Sequence, residues 1–170
     1  PKELHGGETI LIDDGKLELQ VASCTDREIH CTVVHGGVVR NRKSINVPRS
    51  RLSLPYLSEQ DKADLLFGIQ QDVDYVAASF TRCREDVVAL RKFLDYNGGH
   101  SIRIIAKIEN IEGVENFNEI LRVADGIMVA RGDMGVEIDF AEIPAIQKHL
   151  IDRAMSAGKI CITATQMLDS

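Results

Sequence analysis

Ile102-Arg103-Ile104-Ile105-Ala106-Lys107-Ile108-Glu109-Asn110 is the stretch that decides the fold, because an almost continuous apolar run ends in two charged side chains. Residues 126–133 repeat this pattern, with the apolar run GIMVA followed by RGD. Apolar runs without alternation are typical of strands in a parallel sheet that is covered on both faces. We therefore predict an α/β fold built on a parallel sheet.

The same rhythm extends outward along the chain. Predicted strands start near residues 73, 101, 125 and 159, and predicted helices lie between them at 85–96, 113–122 and 143–157. Strands that alternate with helices at this spacing are typical of βα units. Four such units are too few to close an eight-stranded barrel, so residues 53–170 are expected to form part of a larger barrel.

The first 52 residues have a different pattern. Runs at 8–12, 16–21 and 29–34 predict short strands, and Val38-Val39 predicts a further brief one. Asp13-Asp14-Gly15 predicts a tight turn after the first strand. These residues are expected to form a small antiparallel β unit, which ends before a helix capped by Ser58 with Asp61.

The composition excludes several classes of function. The chain has 170 residues and a formal net charge of −6. An acidic chain is not typical of proteins that bind nucleic acid or anionic membranes, and no apolar run approaches the ~18 residues of a membrane span. The four cysteines form no Cys-x-x-Cys pair, which favours reduced thiols in a cytoplasmic protein over a zinc site or a disulfide framework.

Charged side chains stand at the carboxyl ends of the predicted strands, where parallel α/β folds carry their reactive groups. Lys107 and Glu109 are two residues apart on one strand, so both point to the same face. Asp133 follows the next strand and adds a second carboxylate at that edge. Magnesium typically binds one or two carboxylates and completes its shell with water and substrate oxygens. The pattern predicts a magnesium site beside a lysine; a buried Lys–Glu ion pair is the structural alternative.

Small and hydroxylated residues accompany these charges. Gly132 and Gly135 permit a tight turn whose N–H groups can hold an anion, although glycines around an aspartate are also typical of an ordinary loop. Thr165, at the fourth strand end, can bind substrate or relay a proton, or simply favour β structure. Together these residues indicate a site for an oxyanion or a phosphoryl group. An enolate lyase, an aldolase and a phosphotransferase all fit.

Three ungapped stretches closely resemble the pyruvate kinase family. They are IAKIENIEG at 105–113, DGIMVARGDMGVE at 125–137 and TATQML at 163–168. Weaker matches, such as Asp13-Asp14-Gly15 and Ala78-Ser79-Phe80, occur in the family's order, so the resemblance covers nearly the whole chain.

The resemblance implies a TIM (β/α)8 barrel that is interrupted by a mobile β-barrel lid. Residues 1–52 would be the later part of the lid (B) domain, and residues 53–170 would be about strands 4–7 of the catalytic (A) domain. The first barrel strands, which carry potassium ligands and nucleotide-binding arginines in the family, would lie outside this sequence. The eighth strand and the carboxy-terminal regulatory domain would also lie outside it.

The resemblance also implies residue roles. Glu109 and Asp133 would bind Mg2+ or Mn2+. Lys107 would stabilise charge on the transferring phosphoryl group and on the enolate, and Thr165 would lie where the enolate is protonated, so these two are the catalytic candidates. The backbone around Gly132 and Asp133 would bind the substrate carboxylate. The substrate-binding residues would be Lys107, Gly132, Asp133 and Thr165.

The implied activity is that of pyruvate kinase, a glycolytic, magnesium-dependent phosphotransferase that converts phosphoenolpyruvate and ADP to pyruvate and ATP. Lys43 would be the lid lysine that approaches the nucleotide phosphates. The complete enzyme is expected to be a homotetramer that also uses K+, and the isolated 170 residues are expected to be inactive. Two alternatives remain open: a magnesium-dependent pyruvate-enolate aldolase or lyase, which would not need a lid carrying Lys43, and a non-catalytic structural fragment.

Overall fold

The structure, a computed structural model, describes residues 1–48, 50 and 52–165. The chain divides into two compact units, Pro1–Ser53 and Leu54–Ser170, and each unit contains one four-stranded sheet. Gln166, Met167 and Leu168, which belong to the last stretch of the resemblance, lie outside the described residues.

The first unit is an antiparallel sheet of order β3-β2-β1-β4. Its strands are β1 (Thr9–Ile12), β2 (Leu17–Cys24), β3 (Ile29–His35) and β4 (Ile45–Asn46). Strand β1 joins β2 through three successive left-handed residues, Asp13, Asp14 and Gly15, with φ of 55°, 57° and 81°. The buried core of this unit is small: Leu4, Ile10 and Val21 form one cluster, and Leu17 is buried as well.

One strand prediction in this unit is wrong. Val38 and Val39 lie outside any strand and are 78% and 64% exposed. A short apolar run becomes a strand only when a neighbour pairs with it. The two sides of β1 are taken by β2 and by β4.

The second unit is a parallel sheet of order β5-β6-β7-β8, flanked by helices. It therefore has the α/β architecture that the sequence predicts, consistent with part of a TIM barrel. The predicted strand bounds agree with the observed ones within three residues. The elements are α1 (Glu59–Gln70), β5 (Tyr75–Ala78), α2 (Arg84–Tyr96), β6 (Arg103–Ile108), α3 (Ile111–Glu115), α4 (Phe117–Val123), β7 (Gly126–Ala130), α5 (Arg131–Glu137), α6 (Ile143–Ser156) and β8 (Ile160–Ala164).

Local signals set several helix ends. The Ser58 side chain accepts from the Asp61 N–H, and the Asp61 carboxylate accepts from the Ser58 N–H, so the predicted capping box is present. The single helix predicted over 113–122 is instead two helices that meet at Asn116, whose amide donates to the Arg82 carbonyl at 3.0 Å. None of the helices in the described ranges has the length and apolar character of a membrane span.

Alternation along β6 separates the core from the candidate chemistry. Ile104, Ala106 and Ile108 are fully buried in the main apolar cluster, which also contains residues of the flanking helices. Burial of a large apolar side chain contributes about 1.5–3 kcal/mol. Ile105 and Lys107 point to the opposite face of the sheet. The core thus anchors the strand that carries Lys107 towards its carboxyl end.

Gly113 permits a close approach between α3 and the segment after β5. A Cβ at this position would lie 2.6 Å from the Thr81 carbonyl oxygen, a backbone atom. The Gly113 N–H donates to Asn110 Oδ1 at 2.7 Å and so helps to cap α3. The absence of a side chain here lets α3 pack against the backbone that follows β5.

Gly113→Ala is expected to lower the free energy of unfolding of the second unit by roughly 1–3 kcal/mol, because the new methyl group has no room. Gly68→Ala is the matched control, since its Cβ would meet only Val73 Cγ2 at 3.5 Å within α1. This control should raise stability by about 0.5–1 kcal/mol. Urea denaturation followed by tyrosine fluorescence measures both, because the three tyrosines all lie in the second unit. A Gly113→Ala variant as stable as wild type would contradict the close approach.

Candidate active site

The candidate site is built at the carboxyl edge of the parallel sheet. Lys107 Nζ lies 2.7 Å from Glu109 Oε1 and donates to Ser79 Oγ at 3.0 Å. Lys107 and Glu109 therefore share one face, and Ser79 extends the cluster to the end of β5. The Lys107 side chain is partly exposed and the Glu109 side chain is only 1% exposed. A buried carboxylate next to a reachable ammonium group is the centre of this arrangement.

Glu109 is buried with its two oxygens in different environments. Oε2 accepts the Phe80 N–H at 2.5 Å. Oε1 contacts Lys107 as an ion pair, but in the described part of the chain no donor meets it with hydrogen-bond geometry. An ionised carboxylate is costly to bury unless it is paired. Oε1 has two lone pairs, so one remains for a further cation beside the Lys107 ammonium group.

The Phe80 N–H reaches Glu109 because the backbone there is left-handed. Phe80 has φ of 49° and its side chain is 46% exposed. A bulky residue in this region costs of order 1–3 kcal/mol and persists only where surrounding contacts impose it. One such contact is the hydrogen bond from Thr81 Oγ1 to the Ala78 carbonyl at 2.9 Å. Thr81 itself has no exposed surface.

Tyr56 meets the same turn from the segment before α1. Its hydroxyl donates to the Ser79 carbonyl at 3.0 Å and lies 3.2 Å from Thr81 Oγ1. Burial raises the pKa of Tyr56 to about 12, mainly because the phenolate would lose its hydration. The guanidinium of Arg82 lies 5.9 Å from the ring centroid, and Asp86 binds Arg82 in a bidentate ion pair.

Asp133 lies in the first turn of α5, which starts directly after β7. Ile108 of β6 pairs with Val129 of β7 in parallel register, so Glu109 and Asp133 both follow their strands at the same edge. Within the described residues, no group of three or more His, Cys, Asp or Glu side chains is arranged to hold a metal ion. Magnesium needs only one or two carboxylates. The available Oε1 and the chemistry of these two groups therefore fit that ion.

Gly132 and Thr165 are brought together by the structure. The Gly132 N–H donates to Thr165 Oγ1 at 3.2 Å, and a Cβ on Gly132 would lie 3.1 Å from that oxygen. Thr165 is exposed and has φ of 67°. No irregular loop follows β7, since α5 begins at the next residue, Arg131. A backbone donor and a hydroxyl group thus stand side by side at the end of β8.

Lys43 lies in the first unit, in an ion pair with Asp13 at 2.7 Å. The hydrogen bond to Lys43 lowers the pKa of Asp13 below its ordinary value, and Asp13 in turn raises the pKa of Lys43. Ser44 Oγ donates to Asp14 at 2.8 Å, and the Asp13 N–H donates to the Ser44 carbonyl at 3.1 Å. The left-handed turn therefore holds the segment that carries Lys43.

Sequence reasoning missed three contributors to this geometry. They are the Phe80 N–H, the Ser79 hydroxyl and the Tyr56 hydroxyl. Ser79 and Phe80 belong to a stretch that resembles the family, which could have drawn attention to them. A left-handed φ at a phenylalanine and a hydrogen bond across 23 residues, from Tyr56 to Ser79, leave no signal in the order of residues.

Comparison with known proteins gives one consistent result. Residues 1–170 match the family model described as pyruvate kinase, barrel domain. The chain is 51% identical over 169 residues to a pyruvate kinase of Clostridium perfringens, covering 99% of this chain and 36% of that protein. It is 52% identical to the pyruvate kinase of Clostridium acetobutylicum, with coverage of 99% and 36%. It is also 52% identical to that of Geobacillus stearothermophilus, with coverage of 96% and 28%. The chain thus spans about a third of the length of these relatives.

The raised pKa of Tyr56 predicts a specific loss of stability in alkali. The folded state holds the phenolic proton more tightly than the unfolded chain between pH 10.0 and about 12. The stabilisation is therefore complete below the unfolded pKa and is lost as pH rises through the folded one. From about pH 9 to about pH 12, wild type should lose about 2 kcal/mol more unfolding free energy than Tyr56→Phe. Urea denaturation followed by circular dichroism measures this, and parallel curves for the two proteins would contradict it.

Proposed function

The chain belongs to the pyruvate kinase family, and from this premise we propose that the full-length protein transfers a phosphoryl group from phosphoenolpyruvate to ADP, giving pyruvate and ATP in glycolysis. The observation that carries the proposal is the buried Glu109 carboxylate, whose Oε1 meets Lys107 and has capacity for a further cation. Lysine and a metal-binding carboxylate at one strand end suit a reaction that depends on positioning and electrostatics.

Glu109 and Asp133 would hold Mg2+ or Mn2+ at the carboxyl edge of β6 and β7. The ion would supply positive charge that polarises substrate oxygens. Glu109 suits this task because the Phe80 N–H fixes one of its oxygens and burial keeps competing water away. The partly buried Asp133 would provide the second carboxylate.

Lys107 would stabilise the charge that moves during the reaction. The bond between phosphorus and the enol oxygen breaks while a bond to a terminal ADP oxygen forms, and negative charge shifts towards the enolate oxygen. An ammonium group held by Glu109 and Ser79 already points to this edge, so no reorientation of the lysine is required. Preorganised charge of this kind lowers the barrier more than a mobile group would.

Gly132 and Thr165 would handle the substrate carboxylate and the proton. The Gly132 N–H can donate to an anion once its bond to the Thr165 hydroxyl is broken. Thr165 can then relay a proton, giving its own proton to the methylene carbon of the enolate while it takes one from a solvent water molecule. The two groups are adjacent, which suits a substrate whose carboxylate and methylene carbon are separated by one atom.

The two units would divide the work between nucleotide and substrate. We propose that residues 1–52 are part of the lid (B) domain and that residues 53–170 are part of the catalytic (A) domain, about strands 4–7. Lys43, held by Asp13, would bind nucleotide phosphates as a point charge. The enzyme would be a cytoplasmic homotetramer, and K+ would be held by residues outside this sequence.

Glu109→Gln and Lys107→Met in the full-length protein should separate metal binding from catalysis. Glu109→Gln removes a charged ligand, so the Mn2+ dissociation constant should rise at least about 10-fold. Lys107→Met should leave Mn2+ affinity within about threefold while kcat falls by about 100-fold or more. Electron paramagnetic resonance titration and a coupled assay with phosphoenolpyruvate and ADP provide the two measurements. Unchanged kcat in Lys107→Met would show that the lysine is only structural.

The isolated 170 residues should turn over phosphoenolpyruvate at less than about a thousandth of the full-length rate, because misplaced groups alone can cost ~100-fold. They should also self-associate. Strands β5 and β8 are the outer strands of the described sheet, and Tyr75, Ile160 and Ile162 are exposed. A steady-state assay with gel filtration tests both points beside the full-length protein. A monomer with near-normal kcat would refute the requirement for further strands.

A further inference from the structure

The turn formed by Ser79, Phe80 and Thr81 carries two contacts of the candidate site. Ser79 Oγ accepts from Lys107, and the Phe80 N–H donates to Glu109 Oε2. Because Phe80 is left-handed, relaxation of this turn would rotate its N–H away from Glu109. The position of Glu109 therefore depends on whatever holds the turn.

Tyr56 holds the turn from outside the sheet. Its hydroxyl bonds the Ser79 carbonyl and the Thr81 hydroxyl, on the two sides of Phe80. Further restraints on this turn include the bond from Thr81 Oγ1 to the Ala78 carbonyl, the bond from the Asn116 amide to the Arg82 carbonyl, and the bond from the Arg82 N–H to Asp86 Oδ2. Tyr56 bonds the Ser79 carbonyl from a segment that lies outside the turn.

Tyr56 packs against the main apolar cluster and also borders open volume. The residue borders a cavity of about 320 Å³ between α1 and β5, whose lining also includes Leu57, Leu65, Val76 and Ser79. A ring beside open volume can shift, whereas two hydrogen bonds fix its hydroxyl. A tyrosine hydroxyl is neutral at physiological pH, so Tyr56 donates a hydrogen bond without adding charge near Glu109.

We propose that Tyr56 is a positioning residue for the metal site. Its hydroxyl clamps the turn so that the Phe80 N–H occupies Glu109 Oε2 and leaves Oε1 for Lys107 and the metal ion. This inference rests on the proposed function, because it assigns the ligand oxygen of the same site. Tyr56 itself touches neither substrate nor metal; it acts through the backbone of Ser79 and Phe80.

Tyr56→Phe in the full-length protein tests the clamp, because it keeps the ring and removes only the hydroxyl. Tyr96→Phe is the matched control, since Tyr96 is 91% exposed at the end of α2. Amide hydrogen exchange at Phe80 should accelerate about 10-fold in Tyr56→Phe, and the Mn2+ dissociation constant should rise about 10-fold. Neither quantity should change in Tyr96→Phe.

Thr81→Val supplies a second variant, because it removes the other hydroxyl of the clamp in a fully buried residue. In the double variant Tyr56→Phe/Thr81→Val, the Mn2+ dissociation constant should be no higher than the higher of the two single-variant values. The two effects should not add, because both substitutions release the same turn. Unchanged Phe80 exchange or unchanged Mn2+ affinity in Tyr56→Phe would overturn the proposal. Glu109→Gln keeps the two hypotheses distinguishable. Normal Mn2+ affinity in Glu109→Gln would refute the metal site. Amide exchange at Phe80 in Tyr56→Phe would still decide whether Tyr56 clamps the turn.

Discussion

The burial of the Glu109 carboxylate is the constraint on which the candidate site depends. Its side chain is 1% exposed, and a carboxylate in that environment must be compensated by charge and by hydrogen bonds. Lys107 supplies the charge and the Phe80 amide supplies the hydrogen bond. These two contacts determine which oxygen is saturated and which remains available, so the electrostatics of the whole strand end follow from one buried group.

This requirement extends into the backbone around the site. The Phe80 amide can serve Glu109 only in a left-handed conformation, which costs energy that neighbouring contacts must offset. Thr81 contacts both Tyr56 and Ala78, and Gly113 lets α3 approach the Thr81 carbonyl. The end of β5 is thus held by groups from two other segments, helix α3 and the residues before α1, which explains why a turn without regular structure can present fixed donors.

The two units hold their candidate charged groups in different ways. In the second unit, cationic and anionic groups are preorganised at the edge of a rigid parallel sheet, next to an apolar core. In the first unit, Lys43 is held by a carboxylate from a strained turn and has only a small core behind it.

The sequence by itself determined the α/β class, nearly all the strands, the family and the candidate charges, because periodicity, turn residues and strand-end polarity are local properties. It did not determine the break at Asn116 or the failed strand at Val38 and Val39, since both depend on which distant group offers a hydrogen bond. The sequence placed Lys107 and Glu109 on one face of the sheet, but it did not show which other groups contact them. Only the tertiary structure brought Ser79, Phe80 and Tyr56 to them, because hydrogen bonds between residues far apart in the chain form only after the core has set the positions of α1, β5 and β6.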